Sequence, residues 1–117
     1  MNTSESTGID LSLRETAAMV MIRVGGEIDL ATTPALRRLL GAVRDNVGPE
    51  RAMVIDLRKV RFFSSSGIAE LITARTHCRK QGAELIIIAD NSVVLRPMQV
   101  TGLTTIFDIR AYVETRR

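Results

Sequence analysis

Three hydroxyls in a row followed by a glycine, Ser64-Ser65-Ser66-Gly67, are the densest group of potentially reactive side chains in the chain. Used as nucleophiles they would need a neighbouring base. His77 is the only histidine, and its position in a helical stretch beside Cys78 reads as an exposed or satisfied helical residue. The sequence supplies little in the way of paired carboxylates, and Asp29, Asp56, Asp90 and Asp108 are too dispersed for sequence to judge them as metal ligands. Cys78 is the single cysteine, which excludes an internal disulfide, argues against a cysteine-based metal site or redox pair and reads as a small buried hydrophobe. A phosphate-cradling loop needs clustered glycines and a following lysine, and neither Gly25-Gly26 nor Ser64 to Gly67 supplies that pattern. The residues therefore point away from an enzyme, a bound metal or a cofactor. Taken alone, the serines read as caps for the free N–H groups of a helix start, worth about 1 kcal/mol. Phe62 and Phe63 stand directly before them, and one or both are expected to fill the core under the loop.

The flanking pattern says which elements carry these residues. Ile9, Leu11 and Leu13 alternate with Asp10, Ser12 and Arg14, as a half-buried strand requires. After a short turn at Glu15 to Ala17, Val20, Ile22 and Val24 form the inward set of a second strand ended by Gly25-Gly26, and the two strands read as an antiparallel hairpin. Leu36, Leu39, Leu40, Val43 and Val47 make one helical stripe, started by a Thr33 cap with Pro34 at the first position. Arg51 to Leu57 is an apolar run suited to a strand covered on both faces. Arg61 to Ser66 reads as a loop into a helix from about Ser65 to Lys80, stopped by Gly82, with Ile68, Leu71, Cys78 and either Ala74 or Arg75 inward. Glu70, Thr73, Thr76, Arg79 and Lys80 are assigned to its outer side. Leu85 to Ala89 is a further buried strand. A third helix from Asn91 to Thr101 should be broken or restarted at Pro97 and is closed by Gly102. Ile106 to Ile109 reads as a short edge strand and Arg110 to Arg116 as a frayed last helix. Alternating strands and helices predict an α/β domain over residues 9–117, behind a polar tail at 1–8. Its sheet is mixed but mostly parallel, with four to five strands packed on three to four helices.

Composition agrees. At 117 residues there is room for one core, and with 45% apolar but only 3% aromatic residues that core is aliphatic. The formal charge is +3, which raises nucleic acid or anionic lipid as a partner. The arginines are scattered, with no long basic run and no stacking aromatics among them, so solvated helix faces are the reading and nucleic acid is excluded. No apolar run approaches the roughly 20 residues needed to cross a bilayer, which predicts a cytoplasmic chain with no membrane insertion.

The order of elements together with Gly26-Glu27-Ile28-Asp29, Asp56 to Phe62 followed by Ser64-Ser65-Ser66-Gly67-Ile68, and Val100-Thr101-Gly102-Leu103 with Phe107 beyond, resembles the STAS family. That family includes bacterial anti-sigma factor antagonists and the cytoplasmic tails of sulfate transporters. The resemblance implies a non-enzymatic regulator that binds a serine-kinase anti-sigma factor and is released when that kinase phosphorylates the first serine of an Asp-Ser-Ser-Gly motif, with a phosphatase reversing it. By position that serine is Ser65, with Ser64 and Ser66 as competing acceptors, and Ser64 stands where the family usually has aspartate. The partner surface implied comprises Asp29, Leu30, Thr32, Ser64, Ser65, Ser66, Gly67, Ala69, Glu70 and Thr73. The alternative is a constitutive docking subunit of a membrane transport complex, in which Ser65 is only a helix cap. The oligomeric state stays open.

Overall fold

The computed structural model describes residues 8–113. Five strands, β1 (Ile9–Glu15), β2 (Met19–Ile28), β3 (Ala52–Phe63), β4 (Leu85–Ile88) and β5 (Asp108–Arg110), form one sheet in sequential order. Only β1 and β2 are antiparallel; β2 through β5 are parallel, as the crossover helices α1 (Thr33–Val43), α2 (Ser65–Gln81) and α3 (Ser92–Val100) require. Short 3₁₀ turns at Arg44–Asn46 and Leu103–Thr105 complete the described chain. The expected α/β architecture is present.

The main core lies between one sheet face and the helices. Ile9, Leu11, Val20, Ile22, Met53, Ile55 and Ile87 point to that side, and Leu36, Leu40, Leu71, Ala74, Val94 and Met98 meet them from α1, α2 and α3. The alternate residues Met21, Val54, Ile86 and Ile88 make a smaller cluster on the second face. This is why β3 and β4 read as unbroken apolar runs: both of their faces are buried.

Several expectations need correction. Gly25-Gly26 do not end β2, which runs on to Ile28. Gly26 has φ +83°, and a Cβ on it would lie 2.4 Å from the Gly8 carbonyl oxygen, so the pair lets the strand bend in place. β3 likewise extends to Phe63 instead of giving way to a loop at Arg61. It carries one extra residue against β2 between Asp56 and Lys59 and another between Val60 and Phe62, the signature of two β-bulges. Each bulge exposes two neighbours, Arg58-Lys59 and Arg61-Phe62, and so destroys the two-residue alternation that marks a strand. Helix α1 stops at Val43, and Val47 packs into the core from beyond the 3₁₀ turn. Pro97 neither breaks nor restarts α3, which is a single short helix from Ser92 to Val100. Gly82 and Gly102 adopt the left-handed conformation expected after a helix end. Residues 111–113 are not helical; the rest of the last expected helix, and nearly all of the N-terminal tail, fall outside the described residues.

Candidate functional site

The parallel ends of β2 and β3 lead into α1 and α2, so the two connections lie side by side at one end of the sheet. They are tied together by the Ser64 N–H, which donates to the Ile28 carbonyl at 2.9 Å, and by the pairing of Ile28 with Phe63. Gly67 permits this close approach. A Cβ there would sit 2.7 Å from Ile28 Cγ2 and 2.8 Å from Phe63 Cε1. Phe63 fills the core beneath, whereas Phe62 is 52% exposed.

In the first connection the Asp29 carboxylate accepts N–H bonds from Ala31 and Thr32, both at 3.0 Å, a turn that leaves Leu30 at the tip, 82% exposed. Thr32 precedes α1, but its hydroxyl caps nothing; it donates to the Glu27 carbonyl at 2.8 Å and accepts from the Asp29 N–H at 2.9 Å. Thr33, expected to be the cap, is the first helical residue and donates its hydroxyl to the Asp29 carbonyl.

The second connection overturns the capping account of the serines. Ser64 is the residue before α2, in extended conformation, and its side chain makes no capping bond. Its hydroxyl lies 2.7 Å from that of Ser66, which lies 2.8 Å from that of Thr33. Ser64 and Ser66 are half-buried in this chain of hydroxyls; Ser65, the first residue of α2, is exposed. The helix behind it has no acidic residue in its first turn and Arg79 and Lys80 in its last, an arrangement that leaves the positive end of its dipole uncompensated at Ser65.

Of the ten residues assigned from sequence to the partner surface, Leu30, Ser65, Ala69 and Thr73 are exposed and Asp29, Ser64 and Ser66 half-buried. Thr32, Gly67 and Glu70 are buried. Glu70, assigned to the outer side of its helix, is only 6% exposed, because it turns toward α1 and accepts a hydrogen bond from Arg37 Nε at 2.9 Å. These three brace the surface from within. Thr33 and Phe62 were missed. A threonine before a helix reads as a cap, and an exposed phenylalanine beside a buried one is visible only once the bulge is known.

A second polar cluster lies on the second sheet face, in a groove of about 730 Å³ that includes Asp10, Arg23, Gly25, Asp56, Arg58 and Lys59. Asp56 is 5% exposed and accepts bonds from Arg58 Nε at 3.0 Å and Nη2 at 2.8 Å. Burial alone would raise the Asp56 pKa; the hydrogen bonds from Arg58 and the charges of Arg58 and Arg23 outweigh it and hold the carboxyl below its ordinary value. Burial pushes the Cys78 thiol up, away from nucleophilic thiolate. Among the described residues no group of three or more His, Cys, Asp and Glu is placed to hold a metal ion, and no helix is long and apolar enough to cross a membrane.

The fold is shared with known proteins. The family model described as STAS domain matches residues 10–115. The chain is 32% identical over 105 residues to the anti-sigma-F factor antagonist RsfB of Mycobacterium tuberculosis, covering 89% of this chain and 83% of the relative. It is 26% identical over 103 residues to the anti-sigma-B factor antagonist of Bacillus subtilis, covering 88% and 92% of the two chains. The crystal structure of an anti-sigma factor antagonist from Mycobacterium paratuberculosis superposes with a TM-score of 0.83 at 30% identity, over 95% of this chain and 92% of the other. With a family match spanning nearly the whole sequence and a fold that agrees strand for helix with its expected order, this chain belongs to the STAS domain family.

Proposed function

We propose that this protein is an anti-sigma factor antagonist: it binds an anti-sigma factor through the paired β2–α1 and β3–α2 connections, and phosphorylation of Ser65 ends that binding. The observation that carries the reading is the inequality of the three serines. Ser64 and Ser66 have their hydroxyls engaged with each other and with Thr33, while Ser65 is exposed at the start of α2. The relatives' names supply the partner class, an anti-sigma factor, and the family resemblance supplies its kinase activity and an opposing phosphatase. The reading makes the chain a cytoplasmic binding protein with no chemistry of its own.

The physics suits a switch. A phosphate brings about −1.5 to −2 charges to the positive end of a 17-residue helix, where the fold accommodates it. In an interface the same charge must be desolvated or set against the phosphates and carboxylates of a nucleotide-binding kinase, and a loss of about 2.7 kcal/mol is already a hundredfold in affinity. Ser65→Asp should therefore weaken binding to the anti-sigma factor at least about a hundredfold while leaving Tm nearly unchanged. If Ser65→Asp and Ser65→Ala bind as the wild type does, the switch is refuted, and a partner recovered from a membrane transport complex would establish the constitutive docking subunit instead.

A further inference from the structure

The hydroxyl chain at the site has a fixed proton direction. A backbone carbonyl oxygen can only accept, so the proton between Thr33 Oγ1 and the Asp29 carbonyl is Thr33's own. A hydroxyl has one proton. Thr33 Oγ1, having spent its proton on Asp29, can meet Ser66 Oγ at 2.8 Å only as acceptor, so the Ser66 proton points to Thr33. Ser66 must then accept from Ser64, whose oxygen lies 2.7 Å away. The order is Ser64 to Ser66 to Thr33 to the Asp29 carbonyl, with each proton committed inward.

What remains at the outer end is the Ser64 oxygen, with no proton to offer and its lone pairs unused by the helix, since it makes no capping bond. We propose that Ser64 is an obligate hydrogen-bond acceptor on the partner surface, made so by the chain behind it, and that it receives an N–H, ammonium or guanidinium donor from the bound anti-sigma factor. A lone serine hydroxyl would offer either a proton or a lone pair and select nothing. Held this way, Ser64 presents to a partner what a carboxylate presents, acceptor capacity only. Ser66 and Thr33 are positioning residues: Thr33 is 1% exposed and cannot itself reach a partner. The inference rests on the binding function proposed above and adds the chemistry of one contact.

Two measurements test it. Neutron diffraction from deuterium-exchanged crystals of the free protein reads the proton order directly; deuterons on the Ser64–Ser66, Ser66–Thr33 and Thr33–Asp29 carbonyl lines are expected, and a Ser66 deuteron directed at Ser64 would overturn the inference whether or not any partner exists. The second uses the anti-sigma factor identified by capture with the intact chain from its own cells, then expressed and titrated. Ser64→Ala should weaken binding about tenfold, the loss of one bond to a charged or N–H donor. Ser64→Asp, an acceptor by nature, should match or exceed wild type. Thr33→Val should weaken binding in the wild-type background and change nothing in the Ser64→Asp background, where the acceptor no longer depends on the chain; a merely structural role would cost the same in both. Wild-type affinity in Ser64→Ala refutes the contact and leaves the binding function standing, whereas failure to recover any anti-sigma factor refutes both.

Discussion

Ser65 stands apart from its neighbours because it is the one serine of the three whose hydroxyl enters no hydrogen-bonded chain, and the proposed modification rests on this single difference. The sequence offers three equivalent serines; their inequality depends on Thr33, thirty-odd positions earlier in the chain, being brought against Ser66. Asp56 is a second residue whose environment has a measurable consequence. Its folded pKa is depressed, so its contribution to stability is fully present above the ordinary unfolded carboxylate value of about 4 and is lost as pH falls through the lower folded value. Asp56→Asn should therefore flatten the acid limb of a stability-against-pH profile measured by urea unfolding. An unchanged slope below pH 4 would mean that the Arg58 pairing does not shift the titration.

Among elements, the parallel units were the most legible. The stripe of α1 as far as Val43, the apolar β4 and the Gly82 stop all lie where the sequence pattern puts them, because one period and one burial state hold along each segment. Legibility failed where two periods meet. The bulges in β3 place Arg58 beside Lys59 and Arg61 beside Phe62 on exposed positions, which imitates a loop, and the glycine pair in β2 imitates a strand end. Glu70 read as outward because a carboxylate on a helix usually is; Arg37 on the neighbouring helix reverses that, a contact no local pattern encodes. Gly67 tests the junction that the site depends on. Gly67→Ala forces a methyl against Ile28 and Phe63 and should cost about 1–3 kcal/mol in denaturant unfolding, with a matching loss of partner affinity if α2 is displaced. A neutral effect would show that the helix start can shift without cost.

At the level of the whole molecule, the three helices and all but the last strand contribute buried residues to one continuous cluster, so no element has a core of its own. Far-ultraviolet and near-ultraviolet signals should accordingly be lost in one coincident thermal transition, and an early, separate loss of helix signal would contradict the single core. Such a body suits a switch that changes its surface without changing its shape, since the site sits at the end of the sheet, on connections braced by Ser64 and Gly67, and a charge added at Ser65 meets solvent. In the proposed switch this charge is the signal. Site-resolved mass spectrometry of the intact protein purified from its own cells, separated into partner-bound and free fractions, tests it most directly. Phosphate on Ser65 is expected in the free fraction and none in the bound one; phosphate on Ser64 or Ser66 instead, an unmodified Ser65 under every growth condition, or phosphorylated Ser65 still in the complex would refute the switch.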